Sequence, residues 1–150
     1  MAIRLHIQPA RNYRAADSSA RNRVRQALFV LLVIGAGLFL RSHYCEAPPF
    51  IEKYGGDALW ALVVFLGLGF LFPRAATFTL ALSALTISWG VEFFQLYRAP
   101  WLDALRATLP GKLILGSTFN LPDLPAYAFG IGFGVMVELT RSFRGGRNQT

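Results

Sequence analysis

The stretch SWGVEFFQLYRAPWLDALRATLPG, residues 88–111, decides how the chain is read. It begins as membrane-grade apolar sequence, admits Glu92 and Gln95 one helical turn apart, and leaves through Arg98, Asp103 and Arg106. At about 100° per residue, Ala81, Ala84, Ser88, Glu92 and Gln95 form one stripe of a helix, with Phe78, Leu82, Leu85, Trp89 and Leu96 beside it. Small residues let helix backbones approach, whereas bulky apolar ones suit lipid. Glu92 and Gln95 are therefore expected to point into a helical bundle, close to the end of a span. Further on, Trp101, Leu102, Leu105 and Leu109 share a face opposite Asp103 and Arg106. This predicts an amphipathic helix over about 101–109, lying at the interface and ended by Pro110 and Gly111.

Outward from that stretch, the 150-residue chain is 54% hydrophobic and 15% charged. The long unbroken apolar runs identify an all-α integral membrane protein with one domain. Four transmembrane helices are expected, at about 26–44, 57–72, 77–97 and 123–139. The first is short for a ~30 Å hydrocarbon core, but Arg25 and Arg41 can snorkel at its ends. A cleaved signal peptide fits poorly, because Cys45-Glu46-Ala47 is a weak cleavage triplet with Pro48 after it. Pro73 and Arg74 join the second and third spans as a tight hairpin. Residues 1–22 read as a loosely ordered basic tail, 23–142 as the membrane domain and 143–150 as a second basic tail.

The formal charge of +7 comes almost wholly from Arg, with Lys only at Lys53 and Lys112. With the N-terminus inside, the cytoplasmic side holds ten basic residues, and the outside holds Arg41, Lys53, Arg98, Arg106 and Lys112. The positive-inside rule thus places both termini in the cytoplasm of a bacterial inner membrane. No aromatic-studded basic patch supports a nucleic-acid partner. A single cysteine excludes an intramolecular disulfide, and His6 and His43 lack metal-ligand spacing, so neither a metal nor a cofactor is expected. P-loop, HExxH and GxSxG motifs are absent.

In this orientation the unusual polar residues gather on the outer side. Arg41 closes the first span, Asp57 opens the second, Glu92 and Gln95 lie near the end of the third, and Asp123 opens the fourth. Asp123, Tyr127, Gly130 and Gly134 share a narrow arc, and the GxxxG spacing marks a helix contact available to a homo- or hetero-oligomer. Glu92, Gln95, Asp123 and Tyr127 are expected to line one outward-opening cavity. Bland readings stand beside this. Asp57 and Asp123 suit helix caps, Asp103 and Arg106 suit an interfacial i,i+3 pair, and Glu92 with Gln95 suits an interhelical hydrogen bond. A carboxylate near the bilayer centre costs about 2.5–3.5 kcal/mol, which favours a functional role for Glu92.

The segments PPFIEKYGGDALWALVVF, EFFQLYRAPWLDALRATLPGKLILGSTF and DLPAYAFGIGFG resemble an uncharacterised family of small bacterial inner-membrane proteins, a domain of unknown function. The resemblance covers roughly residues 41–135. More distantly, the layout is similar to the VanZ-like proteins, linked to glycopeptide resistance and envelope biology. Those carry E-x-x-Q at a helix end, then an Arg, then an Asp opening a glycine-bearing last helix. Glu92, Gln95, Asp123 and Gly130 match, and Arg98 or Arg106 matches the Arg, but Tyr127 stands where that pattern has Asn.

These readings converge on a pocket that binds membrane lipids, through a lipid head group, or an isoprenoid-linked envelope precursor. Arg41, Arg98 and Arg106 would meet its anionic oxygens, while Glu92 and Asp123 would orient polar groups or act as general base. A non-enzymatic scaffold or partner subunit is the alternative. A small transporter is disfavoured, because only Glu92 lies clearly within a span and no broken-helix repeat is visible.

Overall fold

Between Arg25 and Arg41 the sequence carries only one strongly polar side chain, Gln26, and this run forms the body of α1 (Arg23–Leu40). Asn22 caps it, its side chain accepting from the Arg25 amide at 3.2 Å. The computed structural model describes residues 21–42, 47–116 and 118–146, and their regular secondary structure is entirely helical. After Pro48 a helical segment opens, widens into a π-helical turn (Ile51–Gly55) and continues without a break as α2 (Gly56–Leu71). Pro73 lacks the amide that would extend α2 and disfavours helical geometry at Phe72.

A three-residue turn leads into α3 (Thr77–Phe94), followed by α4 (Pro100–Ala107) and α5 (Leu109–Leu115). Pro100 opens α4, where its missing N–H has no helical partner to lose. Thr108 caps α5, its hydroxyl accepting from the Gly111 amide at 3.2 Å. Gly116, at φ +65°, ends α5 in the left-handed region. The last helix is α6 (Asp123–Gly146).

Helix α2 is the hub, with α1, α3 and α6 packed around it. Where α6 crosses, a Cβ at Gly130 would overlap the Ala58 carbonyl, and one at Gly134 would sit 2.8 Å from Leu62 and Phe65. The glycines therefore set the closeness of this pair. Ala61, Leu62, Phe65, Leu80, Ala84, Tyr127 and Ile131 fill the shared core. Helix α1 packs on α2 and the π-helical turn, with no comparable contact to α3 or α6. Gln26 buries its amide here, donating to the Leu66 carbonyl at 3.2 Å over the bare backbone of Gly69.

At the end of the bundle formed by the α2–α3 turn, Arg21 ties three segments together. Its guanidinium donates to Ala75 O at 2.6 Å and to Thr77 Oγ1 at 2.9 Å, and pairs with the Glu138 carboxylate. Its amide donates to Pro73 O at 3.1 Å.

Three helical segments, Arg23–Leu40, Ile51–Leu71 and Thr77–Phe94, are long and apolar enough to cross a membrane. Large apolar side chains such as Leu31, Leu32, Phe78 and Phe129 stand two-thirds or more exposed. Such a surface needs a lipid environment, and the chain is a membrane protein.

Several expectations change in detail. The second apolar helix begins before Asp57, so Asp57 lies inside a continuous helix and is not a cap. The first helix stops at Leu40, with Arg41 as its C-cap, and Tyr44 lies outside the described residues. The third stops at Phe94, with a turn over 95–97. Leu109 belongs to α5, not to the preceding helix. On α4, Leu102 turns inward while Trp101 and Leu105 stay exposed. Arg21 is tied to the α2–α3 turn, and Asn22 caps α1. The Gly130 and Gly134 face, expected to suit another subunit, is occupied by α2 of the same chain.

Candidate functional site

Glu92 is fully buried, one turn beyond Ser88 on the inner stripe of α3. Its Oε1 accepts from the backbone amide of Asn120 at 2.5 Å, and its Oε2 from Tyr127 Oη at 2.8 Å and Gln95 Nε2 at 3.2 Å. These three donors come from the C-cap of α3, from α6 and from the segment entering α6, so one carboxylate fastens them at a single point. Hydrogen bonds to the charged form compensate a buried carboxylate for its lost water. Asn120 is the bridge, since its side-chain amide also donates to the Asp123 carboxylate.

A second layer of charge surrounds this network. Lys53 Nζ lies 3.2 Å from Asp123 Oδ1, and Arg41 Nη2 lies 3.5 Å from Asp57 Oδ1. Gly56 makes the second pair possible, because any Cβ there would sit 2.9 Å from the Arg41 guanidinium. The π-helical turn places Lys53 one turn before Asp57 on the same helix, a local irregularity often found at functional sites.

These groups line one end of a cavity of about 690 Å³. Its polar end holds Arg41, Lys53, Lys112, Glu52, Asp57, Glu92 and Asp123, with Gln95, Asn120 and Tyr127 between them. Its other wall is apolar, made by Val33, Ile34, Gly37 and Leu38 of α1 and by Leu59, Trp60 and Val63 of α2. Helix α5 and the segment after it contribute Leu113, Ile114 and Phe119 to the lining. Trp60 stacks obliquely on Tyr127 with ring centroids 5.8 Å apart, which joins the apolar wall to the polar end.

Two acceptor atoms in this lining have no donor: Asp57 Oδ2 and Gln95 Oε1, both buried from solvent. Gln95 is held in orientation from two sides. Its amide nitrogen serves Glu92, and a Cβ on Gly116 would collide with the amide group.

The cavity brings together Arg41, Asp57, Glu92, Gln95, Asp123 and Tyr127 of the residues singled out in the sequence. Arg98, Asp103 and Arg106 lie elsewhere. Arg106 is buried, and donates to the carbonyls of Phe94 and Tyr97 at 2.9 Å each. Its cation stands at the C-terminal end of α3, where unpaired carbonyls and the helix dipole favour it. Asp103 accepts from Arg98 at 3.3 Å and from Arg106 at 3.5 Å; its i,i+3 partner Arg106 is buried, so this is not a pair of two exposed side chains. Sequence reasoning passed over Lys53, Lys112 and Asn120 as site residues. The lysines were visible as the chain's only two, both on the polar-clustered side, whereas Asn120 works partly through its backbone and leaves no such signal. Among the described residues, no group of three or more His, Cys, Asp and Glu side chains is placed to hold a metal ion.

Fold and site together define an all-helical membrane protein whose pocket, at one end of its bundle, joins charged side chains to a larger apolar lining. Residues 47–131 match the model of DUF2809, a family described as protein of unknown function, and the chain belongs to that family. The match includes the whole polar end except Arg41, and leaves out α1. No solved structure matches the chain.

Proposed function

We propose that the protein binds an amphiphile, with its head group among Arg41, Lys53, Asp57, Gln95 and Lys112 and its tail along α1 and α2. The observation that carries this reading is the division of one cavity into a charged end and an aliphatic wall. A soluble polar ligand has no use for Val33, Gly37, Leu38 and Val63, and a pure hydrocarbon has none for three cations and four carboxylates. The ligand classes are a membrane lipid or an isoprenoid-linked envelope precursor, the second supported by the likeness to VanZ-like proteins.

The reading includes four spans, with α6 as the fourth, both termini in the cytoplasm and the pocket facing outward across a bacterial inner membrane. Charge distribution supports it: Arg74, between α2 and α3, and positions 141 and 144 of α6, both Arg, fall at one end, with the cavity at the other. Helix α4 then lies along the outer interface, with exposed Trp101 and Leu105 in the head-group region and Leu102 against the bundle. Glu92 and Asp123 position the site in this scheme, because their oxygens are already engaged by protein donors.

The same saturation of Glu92 favours the scaffold reading as the alternative, since a carboxylate with three protein donors can serve packing alone.

The test is lipid retention during purification in mild detergent, read by mass spectrometry. Gly37 lines the cavity and a Cβ there would have ordinary contact distance to Leu59, so Gly37→Leu is the variant chosen to fill the apolar side. The unaltered chain should retain lipid and Gly37→Leu should lose most of it. Equal retention by both proteins, or none by either, would count against the pocket.

A further inference from the structure

The charges in the cavity narrow the chemistry of its occupant. Three cationic side chains, Arg41, Lys53 and Lys112, face four carboxylates, Glu52, Asp57, Glu92 and Asp123. In formal charge the site does not favour a purely anionic head group. Arg41 and Lys53 are already paired with Asp57 and Asp123, leaving each only part of its charge for a ligand. Conversely, the unmet hydrogen-bonding capacity is on the acceptor side. Gln95 is only 4% exposed, and its Oε1 has no donor. Asp57 Oδ2 is likewise buried and without one, while Oδ1 of the same carboxylate faces Arg41.

A buried acceptor without a donor costs roughly 1–3 kcal/mol, more when it is charged. Gln95 cannot relieve this by turning its amide over, because Nε2 would then leave Glu92 and Oε1 would face a carboxylate oxygen. Both residues line the cavity, so a ligand that brings N–H donors meets the part of the lining where acceptors are in excess, and one that also brings a phosphate finds Lys53 and Lys112 in the same lining.

We infer that the pocket selects a zwitterionic phospholipid head group with a primary ammonium, which donates to Asp57 and Gln95 while its phosphate faces Lys53 and Lys112. This deepens the amphiphile reading and rests on it. A quaternary ammonium carries the same charge but no N–H, and phosphatidic acid carries the phosphate but no cation. Each lacks one half of the recognition.

The experiment titrates the purified full-length chain, stripped of lipid, with phosphatidylethanolamine, phosphatidylcholine and phosphatidic acid of matched acyl chains, counting bound lipid by native mass spectrometry. Phosphatidylethanolamine should bind at least about tenfold more tightly than either of the others, the scale of one charge-assisted hydrogen bond. Asp57→Asn should erase that preference and, by releasing Arg41 from its carboxylate, strengthen phosphatidic acid binding, whereas Lys53→Gln should weaken all three lipids. The lipid series on the unaltered chain decides the matter even if a variant fails to fold. Phosphatidic acid or phosphatidylcholine binding as tightly as phosphatidylethanolamine would overturn the ammonium assignment. If that binding still vanished in Gly37→Leu, the amphiphile pocket would survive; absence of binding by all three lipids would remove both.

Discussion

Glu92 has no cation as its ion-pair partner among the described residues, yet both its oxygens accept hydrogen bonds. An amide in its place turns one acceptor into a donor that faces another donor. Glu92→Gln is expected to lower stability by about 1–3 kcal/mol, measured as a drop in the thermal midpoint in detergent. Tyr127→Phe removes a single bond and should cost about 1 kcal/mol. Arg106→Ala leaves the carbonyls of Phe94 and Tyr97 without their side-chain donor, so the same assay should show a loss of about 1–3 kcal/mol without change in lipid binding. Glu92, Gln95, Asp123 and Tyr127 were legible in the sequence because helical periodicity and depth together put them on facing stripes. Arg98 and Arg106 misled because nearness in sequence carries no direction. The carbonyls of Phe94 and Tyr97, at and just beyond the end of α3, hold Arg106 away from the cavity. Lys53 lay in a segment without helical periodicity, and only the π-helical turn brings it to Asp123.

At the scale of the helices, glycine distinguishes a contact from a surface. Gly130 meets the Ala58 backbone and Gly134 meets Leu62 and Phe65, but Gly132, between them, has open space around it. Gly130→Ala is expected to destabilise the bundle by about 1–3 kcal/mol, the usual scale for overpacking. Gly132→Ala should be neutral or slightly stabilising through helix propensity, and parallel thermal unfolding of the two variants checks both. The arc of glycines was readable as a contact face, although its partner was not. The small residues of α3 offered a simpler match than Ala58, whose suitability depends on where the backbone of α2 passes. The helix start expected at Asp57, just after Gly55 and Gly56, is missing for a related reason. Glycine permits an interruption without imposing one, and both residues keep helical dihedrals here.

For the whole molecule, three spans could be recognised from apolar length alone, whereas the direction in which they thread the bilayer depends on the flanking arginines. A topology reporter fused after Thr108 should register outside the cytoplasm and one placed at Arg74 inside it. The reverse pattern would invert the proposed orientation and turn the cavity inward. Arg21 adds a constraint that belongs to biogenesis. Its carboxylate partner, Glu138, lies 117 residues later in the chain. A nascent protein emerging in order has α1, α2 and α3 available well before it can close that contact. Until residue 138 is made, a guanidinium at the foot of the first helix waits beside Pro73 and Ala75 without its counter-ion. Chains truncated before α6 should therefore look unfinished to a membrane protease, and completion of the last helix is what locks the first.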